Sequence, residues 1–268
     1  MAHTLFRRLR CAVQNTAHNA LDAGLTLLFP PACVGCGRIG ELFCAHCAQA
    51  VEESPARQFT RHNHPATLYT YAAALHTSPL REAIHAFKYE NQPELAPLLA
   101  RYLVATFARP PWSNLGSNRG PGFAAPITAV APVPLHAQRL AARGYNQAEL
   151  LAQHFCRAVG LPLQPEWLTR IRETRQQVGL GPRERQNNVD QAFVASPDVA
   201  GSCLLLIDDV YTTGATLRAC AVAARAAGAC AVYGLTLAQP VRQAHLPAPG
   251  DMYEDADIPD VPWWEGEV

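Results

Sequence analysis

Residues 203–217 read Cys-Leu-Leu-Leu-Ile-Asp-Asp-Val-Tyr-Thr-Thr-Gly-Ala-Thr-Leu, and this order constrains the fold more than any other stretch. Leu204 to Ile207 form an uninterrupted apolar run, the pattern of a strand buried on both faces of a parallel sheet. Asp208 and Asp209 stand where that strand ends. Thr212, Thr213, Gly214 and Thr216 follow as a polar turn. A helical stretch then runs from Leu217 to Ala227 and stops at Gly228. A strand, a tight polar turn and a helix in succession make an α/β unit whose helix N-terminus can hold a phosphate dianion on backbone N–H groups and the positive end of the helix dipole. Gly214 allows close approach of the backbone, and the threonine hydroxyls add donors. Paired carboxylates would repel a phosphate. Their natural task is to accept hydrogen bonds from vicinal sugar hydroxyls, so the stretch reads as a cradle for a sugar phosphate.

The chain has 268 residues, enough for one large domain and a small one. It contains no run of about 18 apolar residues, so no membrane span is expected. Leu5, Phe6, Leu9, Val13, Leu21, Leu25 and Leu28 suggest an irregular amphipathic helix over 1–28 instead of a secretory leader. The formal net charge of zero hides an asymmetry: 7 of the 22 acidic residues lie in the last 18 positions, which hold no Lys or Arg. The first 250 residues therefore carry 22 basic against 15 acidic side chains, a net of +7 that suits phosphate-bearing ligands. The acidic segment 241–268, with Trp263 and Trp264, reads as a disordered tail.

Four of the nine cysteines form two close pairs. Cys33 and Cys36 make one Cys-x-x-Cys knuckle, Cys44 and Cys47 a second, and Gly35 and Gly37 supply the positive φ such turns use. Four thiolates at this spacing favour a closed tetrahedral Zn²⁺ site of structural type, with an iron centre or free thiols as the alternatives. His46, His62 and His64 read as surface residues. Cys11, Cys156, Cys203, Cys220 and Cys230 lie among apolar neighbours and read as small core residues.

Along the chain, Leu68 to Leu75 reads as a strand, and Pro79 to Tyr89 as a helix with Leu80, Ile84 and Phe87 on one face. Glu94 to Phe107 is a second helix, and 109–126, rich in Pro, Gly, Ser and Asn, a flexible loop. Ile127 to Pro134 reads as a strand. Arg139 and Arg143, four apart, can offer two guanidinium groups to one anion. A helix spans Gln147 to Val159 and ends at Gly160. The stretch from Leu168 to Phe193 is basic, polar and poor in apolar residues, as expected of a mobile, anion-facing loop.

Taken in order, these pieces resemble the ComF family, over roughly residues 20–240. The carriers are the four-cysteine ribbon, Ile84-His85-Ala86-Phe87-Lys88-Tyr89, Pro132-Val133-Pro134-Leu135-His136 and Arg143-Gly144-Tyr145-Asn146-Gln147. Arg172-x-Thr174-x-x-Gln177 and Arg185-x-x-Asn188 add to them. Asp-Asp-x-x-Thr-Thr-Gly-x-Thr resembles the phosphoribosyl-pyrophosphate (PRPP) motif of type I phosphoribosyltransferases. The loop at 109–126 and the acidic tail depart from the pattern without touching a motif.

The resemblance implies an α/β, type I phosphoribosyltransferase fold, a parallel sheet flanked by helices, with a zinc ribbon at 29–66 and the main domain at 67–240. It implies bacterial cytoplasm and a link to natural transformation. Asp208 and Asp209 would bind ribose hydroxyls, and Thr212, Thr213, Gly214, Ala215 and Thr216 the 5′-phosphate. Arg139 and Arg143 would take the pyrophosphate, with Mg²⁺ bridging pyrophosphate and ribose oxygens. Asp208, Asp209 and Arg143 are thus the catalytic candidates. Lys88, the sole lysine, is a further candidate for the phosphates, the alternative being a solvated helix end. The partners implied are PRPP and an acceptor that no motif names. The resemblance implies transfer of the phosphoribosyl group with release of pyrophosphate, or a non-catalytic sensor of PRPP; the alternative function is a non-catalytic DNA-uptake factor that binds single-stranded DNA or competence proteins.

Overall fold

In the computed structural model the described residues are 30–56, 59–62, 68–109, 112, 126–171 and 192–241. The expected helix over 1–28, most of the loop 109–126, the segment holding Arg172, Thr174, Gln177, Arg185 and Asn188, and the tail beyond 241 lie outside them. So do Cys11 and His64, and nothing is described of the His62 side chain.

Six helices and seven strands carry the fold among these residues. They run α1 (Ala45–Glu52), β1 (Phe59–His62), β2 (Leu68–Leu75), α2 (Leu80–Tyr89), α3 (Leu95–Phe107), β3 (Ala129–Pro132), α4 (Ala137–Arg143), α5 (Gln147–Val159), β4 (Leu168–Arg170), β5 (Phe193–Ala195), β6 (Cys203–Val210), α6 (Ala215–Ala226) and β7 (Ala231–Gln239). The main sheet has the order β1-β2-β7-β6-β3. Its β2-β7, β7-β6 and β6-β3 pairs are parallel, and β1 adds an antiparallel edge. The parallel sheet flanked by helices that the sequence implies is therefore the architecture observed.

The central strand β6 is apolar on both faces because both faces are covered. Leu205 and Ile207 join a core with α1, α2, α3 and α5, whereas Leu204 and Leu206 join one with α6, Leu168 and Phe193. The α6 face that meets the sheet is built of small residues, Ala219, Cys220, Ala221 and Ala224, all fully buried. Gly234 on β7 faces β2, and a Cβ there would lie 3.0 Å from Thr70 Oγ1.

The expected β2, α2, α3 and α5 are all present. The α5 boundaries follow from its caps: the Asn146 side chain accepts from the Ala148 N–H, and Gly160 ends the helix at φ 75°. Three expectations need correction. The stretch 168–193 is not loop throughout, because its ends pair as the antiparallel ribbon β4-β5. Leu168 and Phe193 supply enough apolar surface to anchor that ribbon against the core. Cys230 is exposed, unlike Cys156, Cys203 and Cys220, because it sits at the open N-terminal edge of β7. Gly35 is not at positive φ, as Gly37 is. It is required by space: a Cβ at Gly35 would lie 2.7 Å from Pro79 Cβ and 2.9 Å from Cys47 Sγ.

Candidate functional site

Asp208 and Asp209 occupy the C-terminal end of β6, and the pleat gives them different surroundings. Asp209 lies on the α2 side, where Lys88 Nζ stands 2.8 Å from its Oδ1. Both partners are mostly shielded from water, with side-chain exposures of 19% and 13%, so the pair is stronger than a surface bridge. Lys88 is thus not a solvated helix end. Asp208 lies on the α6 side, within the electrostatic reach of Cys220 and Arg170. Burial and the neighbouring Asp209 carboxylate push Asp208 up to about 7, against the pull of Lys88 and Arg170. Its Oδ1 accepts from the Asp209 N–H at 2.8 Å. Asp209 is therefore paired with a lysine, whereas burial beside Asp209 favours the protonated form of Asp208.

The turn after β6 is fixed by Gly214, which stands at φ 70°, where a side chain is strained. A Cβ at that position would come within 2.7 Å of the Tyr211 ring. Helix α6 starts at Ala215, two residues earlier than the apolar pattern implies, which places Thr216 in its first turn. Gly214 gives no side-chain cap, and the Ala215 N–H reaches Thr213 Oγ1 at 3.4 Å. The first-turn N–H groups have no carbonyl partner within the helix, and the preceding Thr212 and Thr213 are exposed.

A second basic group, Arg143, lies beside the C-terminal end of α2. Helix α4 ends at Arg143, whose Nη1 donates to Gln147 Oε1 at 2.5 Å while the guanidinium lies 5.2 Å from the Tyr89 ring centroid. Gly144 closes α4 at φ 83°, and the Tyr145 hydroxyl donates to the Phe87 carbonyl at 2.5 Å. The Arg143 loop is thus tied to the end of α2, one residue from Lys88. Arg139 is exposed on the same short helix. The structure brings together Lys88, Asp208, Asp209 and the Thr212–Thr216 turn, with Arg143 alongside on Tyr89.

His76, a site neighbour the sequence does not single out, follows β2, and its N–H donates to the Gln239 carbonyl at 2.6 Å. Burial, then Lys88 and Arg81, hold its imidazole below the usual histidine range, while Asp209 and Glu82 pull the other way. Only the strand order, which sets β2 one strand from β6, reveals this proximity.

The four-cysteine cluster lies at the other end of α2. The Sγ atoms of Cys33, Cys36, Cys44 and Cys47 all lie within 4.8 Å of one another, and Cys36 and Cys44 are 3.6 Å apart. A tetrahedral Zn²⁺ with bonds of about 2.3 Å needs sulfurs about 3.8 Å apart, so the set can hold zinc. Burial raises the Cys33 thiol, but N–H donors from Cys44, Gly35 and Cys36 outweigh it and bring the group down to about 6. Burial and the neighbouring thiols push Cys47 upward. A cation would resolve this uneven sharing by stabilising all four thiolates. His46 is exposed and outside the cluster.

Fold and site together define an α/β protein with a carboxylate pair, an open helix N-terminus and a thiol cluster that can take a metal. Its relatives carry names that refer to competence and to DNA utilization. Competence protein F of Haemophilus influenzae is 29% identical over 219 residues, 80% of this chain and 88% of that protein. The DNA utilization protein YhgH of Salmonella typhi is 34% identical over 142 residues, 53% of this chain and 59% of the relative's own length. Competence protein ComFC of Bacillus subtilis is 26% identical, across 57% of this chain and 54% of its own. The chain is thus similar to proteins named for competence and DNA utilization. No family model matches it. Among solved structures, an allosteric regulatory enzyme of purine biosynthesis overlaps 54% of this chain and 25% of its own, at 20% identity and TM-score 0.34. A glutamine PRPP amidotransferase from B. subtilis overlaps 55% and 26%, at 20% identity and TM-score 0.32. Among the described residues no helix is long and apolar enough to cross a membrane.

Proposed function

We propose that this protein binds PRPP through the β6–α6 turn and transfers its phosphoribosyl group to an acceptor, releasing pyrophosphate. One observation carries the reading: two carboxylates at the end of a buried parallel strand lead directly into a glycine-gated turn and an uncapped helix N-terminus. Asp208 and Asp209 accept hydrogen bonds from the ribose hydroxyls. Thr212, Thr213, Gly214, Ala215 and Thr216 hold the 5′-phosphate on hydroxyl and backbone donors. Lys88, Arg139 and Arg143 offer positive charge to the pyrophosphate. Mg²⁺, for which the Asp oxygens are suitable hard ligands, would supply charge neutralisation of the pyrophosphate when bound. The bond from the anomeric carbon to pyrophosphate breaks, its electron pair leaves with pyrophosphate, and the acceptor's nucleophilic atom forms the new bond. The basic groups stabilise the departing charge. In this reading 29–66 carries structural Zn²⁺, 67–240 is the phosphoribosyltransferase-like domain, and the protein works in the cytoplasm.

Titration calorimetry of PRPP with Mg²⁺ tests the reading, comparing wild type with Asp208→Ala/Asp209→Ala. Binding that the double variant abolishes supports it, and pyrophosphate release then screens acceptors. No binding to folded, zinc-loaded wild type overturns it. A second reading, DNA handling without turnover, is favoured by the relatives' names, which refer to competence and DNA utilization. It requires oligonucleotide affinity that falls steeply with salt.

A further inference from the structure

Lys88 lies in the last turn of α2, and the first turn of α2 rests on the cysteine unit. Pro79, which precedes the helix, is the residue that a Gly35 Cβ would strike. Behind that contact, Cys33, Phe43, Cys44, Cys47, Ala48 and Val51 share one core with Leu80, Ala83, Ile84 and Phe87 of α2. The buried stripe of α2 is therefore divided between the sheet and the cysteine unit. The helix is ten residues long, with this seat at one end and Lys88 at the other.

We propose that the cysteine unit is the seat that positions Lys88 against Asp209, so that metal occupancy sets whether the carboxylate is paired. Gly35 is the positioning residue: it lets the knuckle lie flush on Pro79. The inference deepens the reading of the site given above and rests on it. Its test needs no phosphoribosyl ligand, so either can fail without the other.

The test uses the fact that Lys88 is the only lysine in the chain. The rate at which its ε-amine is acylated by a succinimidyl ester, followed by peptide mass spectrometry, reports one side chain, distinct from the α-amine. Asp209→Asn sets the rate of an unpaired Lys88. Two perturbations are compared with it: removal of zinc by a chelator under reducing conditions, and Gly35→Ala with its zinc content measured. Val199→Ala, buried on the opposite face of the sheet, controls for general destabilisation. The expected result is a several-fold faster acylation of Lys88 in both perturbed proteins, approaching Asp209→Asn, with the control near wild type. Wild-type rates in folded, zinc-stripped protein or in Gly35→Ala overturn the inference. So does an equal rise in Val199→Ala. Loss of the whole fold in both perturbed proteins overturns it as well, because the unit would then be a requirement for folding and not a seat for one helix.

Discussion

At the scale of single residues, the two adjacent aspartates are the sharpest contrast in the molecule. Asp208 is held at about 7 against an ordinary 3.8, so the fold favours its protonated form. The sign follows from linkage: between those two values the native state binds the proton that the unfolded chain has released. Stability from this group is fully present below pH 3.8 and is lost as pH rises to about 7. Asp208→Asn should therefore raise the melting temperature, and by more at pH 8 than at pH 5 in thermal scans of the two proteins. Gly214→Ala must place a side chain at φ 70° under the Tyr211 ring. It should cost about 1–3 kcal/mol in urea unfolding and weaken PRPP binding beyond the loss of stability. Lys88→Met should lower PRPP affinity roughly 10-fold, the order expected from losing one charge-assisted contact of about 1.5 kcal/mol, measured by calorimetry.

At the scale of elements, α2 links the cysteine unit to the carboxylate pair. Its Phe87 side chain is fully buried and packs 5.7 Å, centroid to centroid, from Tyr145. Phe87→Ala should cost about 3–5 kcal/mol by denaturant unfolding, and it should disturb the Arg143 loop together with Lys88. Much of this scale was legible in the sequence, and the reasons are local. The α5 span follows from an Asn cap and a terminal Gly, the core of β6 from an apolar run bounded by carboxylates, and the α2 stripe from Leu80, Ile84 and Phe87. What was not legible depends on partners remote in sequence. Strand β7 is a mixed apolar run through Gly234, whose meaning comes from Thr70 on β2. The β4-β5 ribbon pairs residues more than 20 positions apart across a basic stretch. His76 becomes a site neighbour only once β7 is set between β2 and β6. Gly35 looks like a turn glycine until Pro79 is placed against it. The residue types at the site were legible as candidates, whereas the Lys88–Asp209 pairing needed three dimensions.

At the scale of the whole molecule, the cysteine unit and the helices on its face of the sheet share one continuous apolar core, so the two should melt together. Chelation of the metal under reducing conditions should lower the melting temperature of the main transition, with no separate early step. Scanning calorimetry of metal-loaded and stripped protein checks this. The pleat of β6 carries one more consequence. Because Asp209 faces the α2 layer and Asp208 the α6 layer, a single sugar held by both would be sensed on the two opposite surfaces of the sheet at once. Amide hydrogen exchange should then slow together in the last turn of α2 and the first turn of α6, while the far end of β7, near Cys230, keeps its rate. The strand would act as a two-sided antenna for one small molecule.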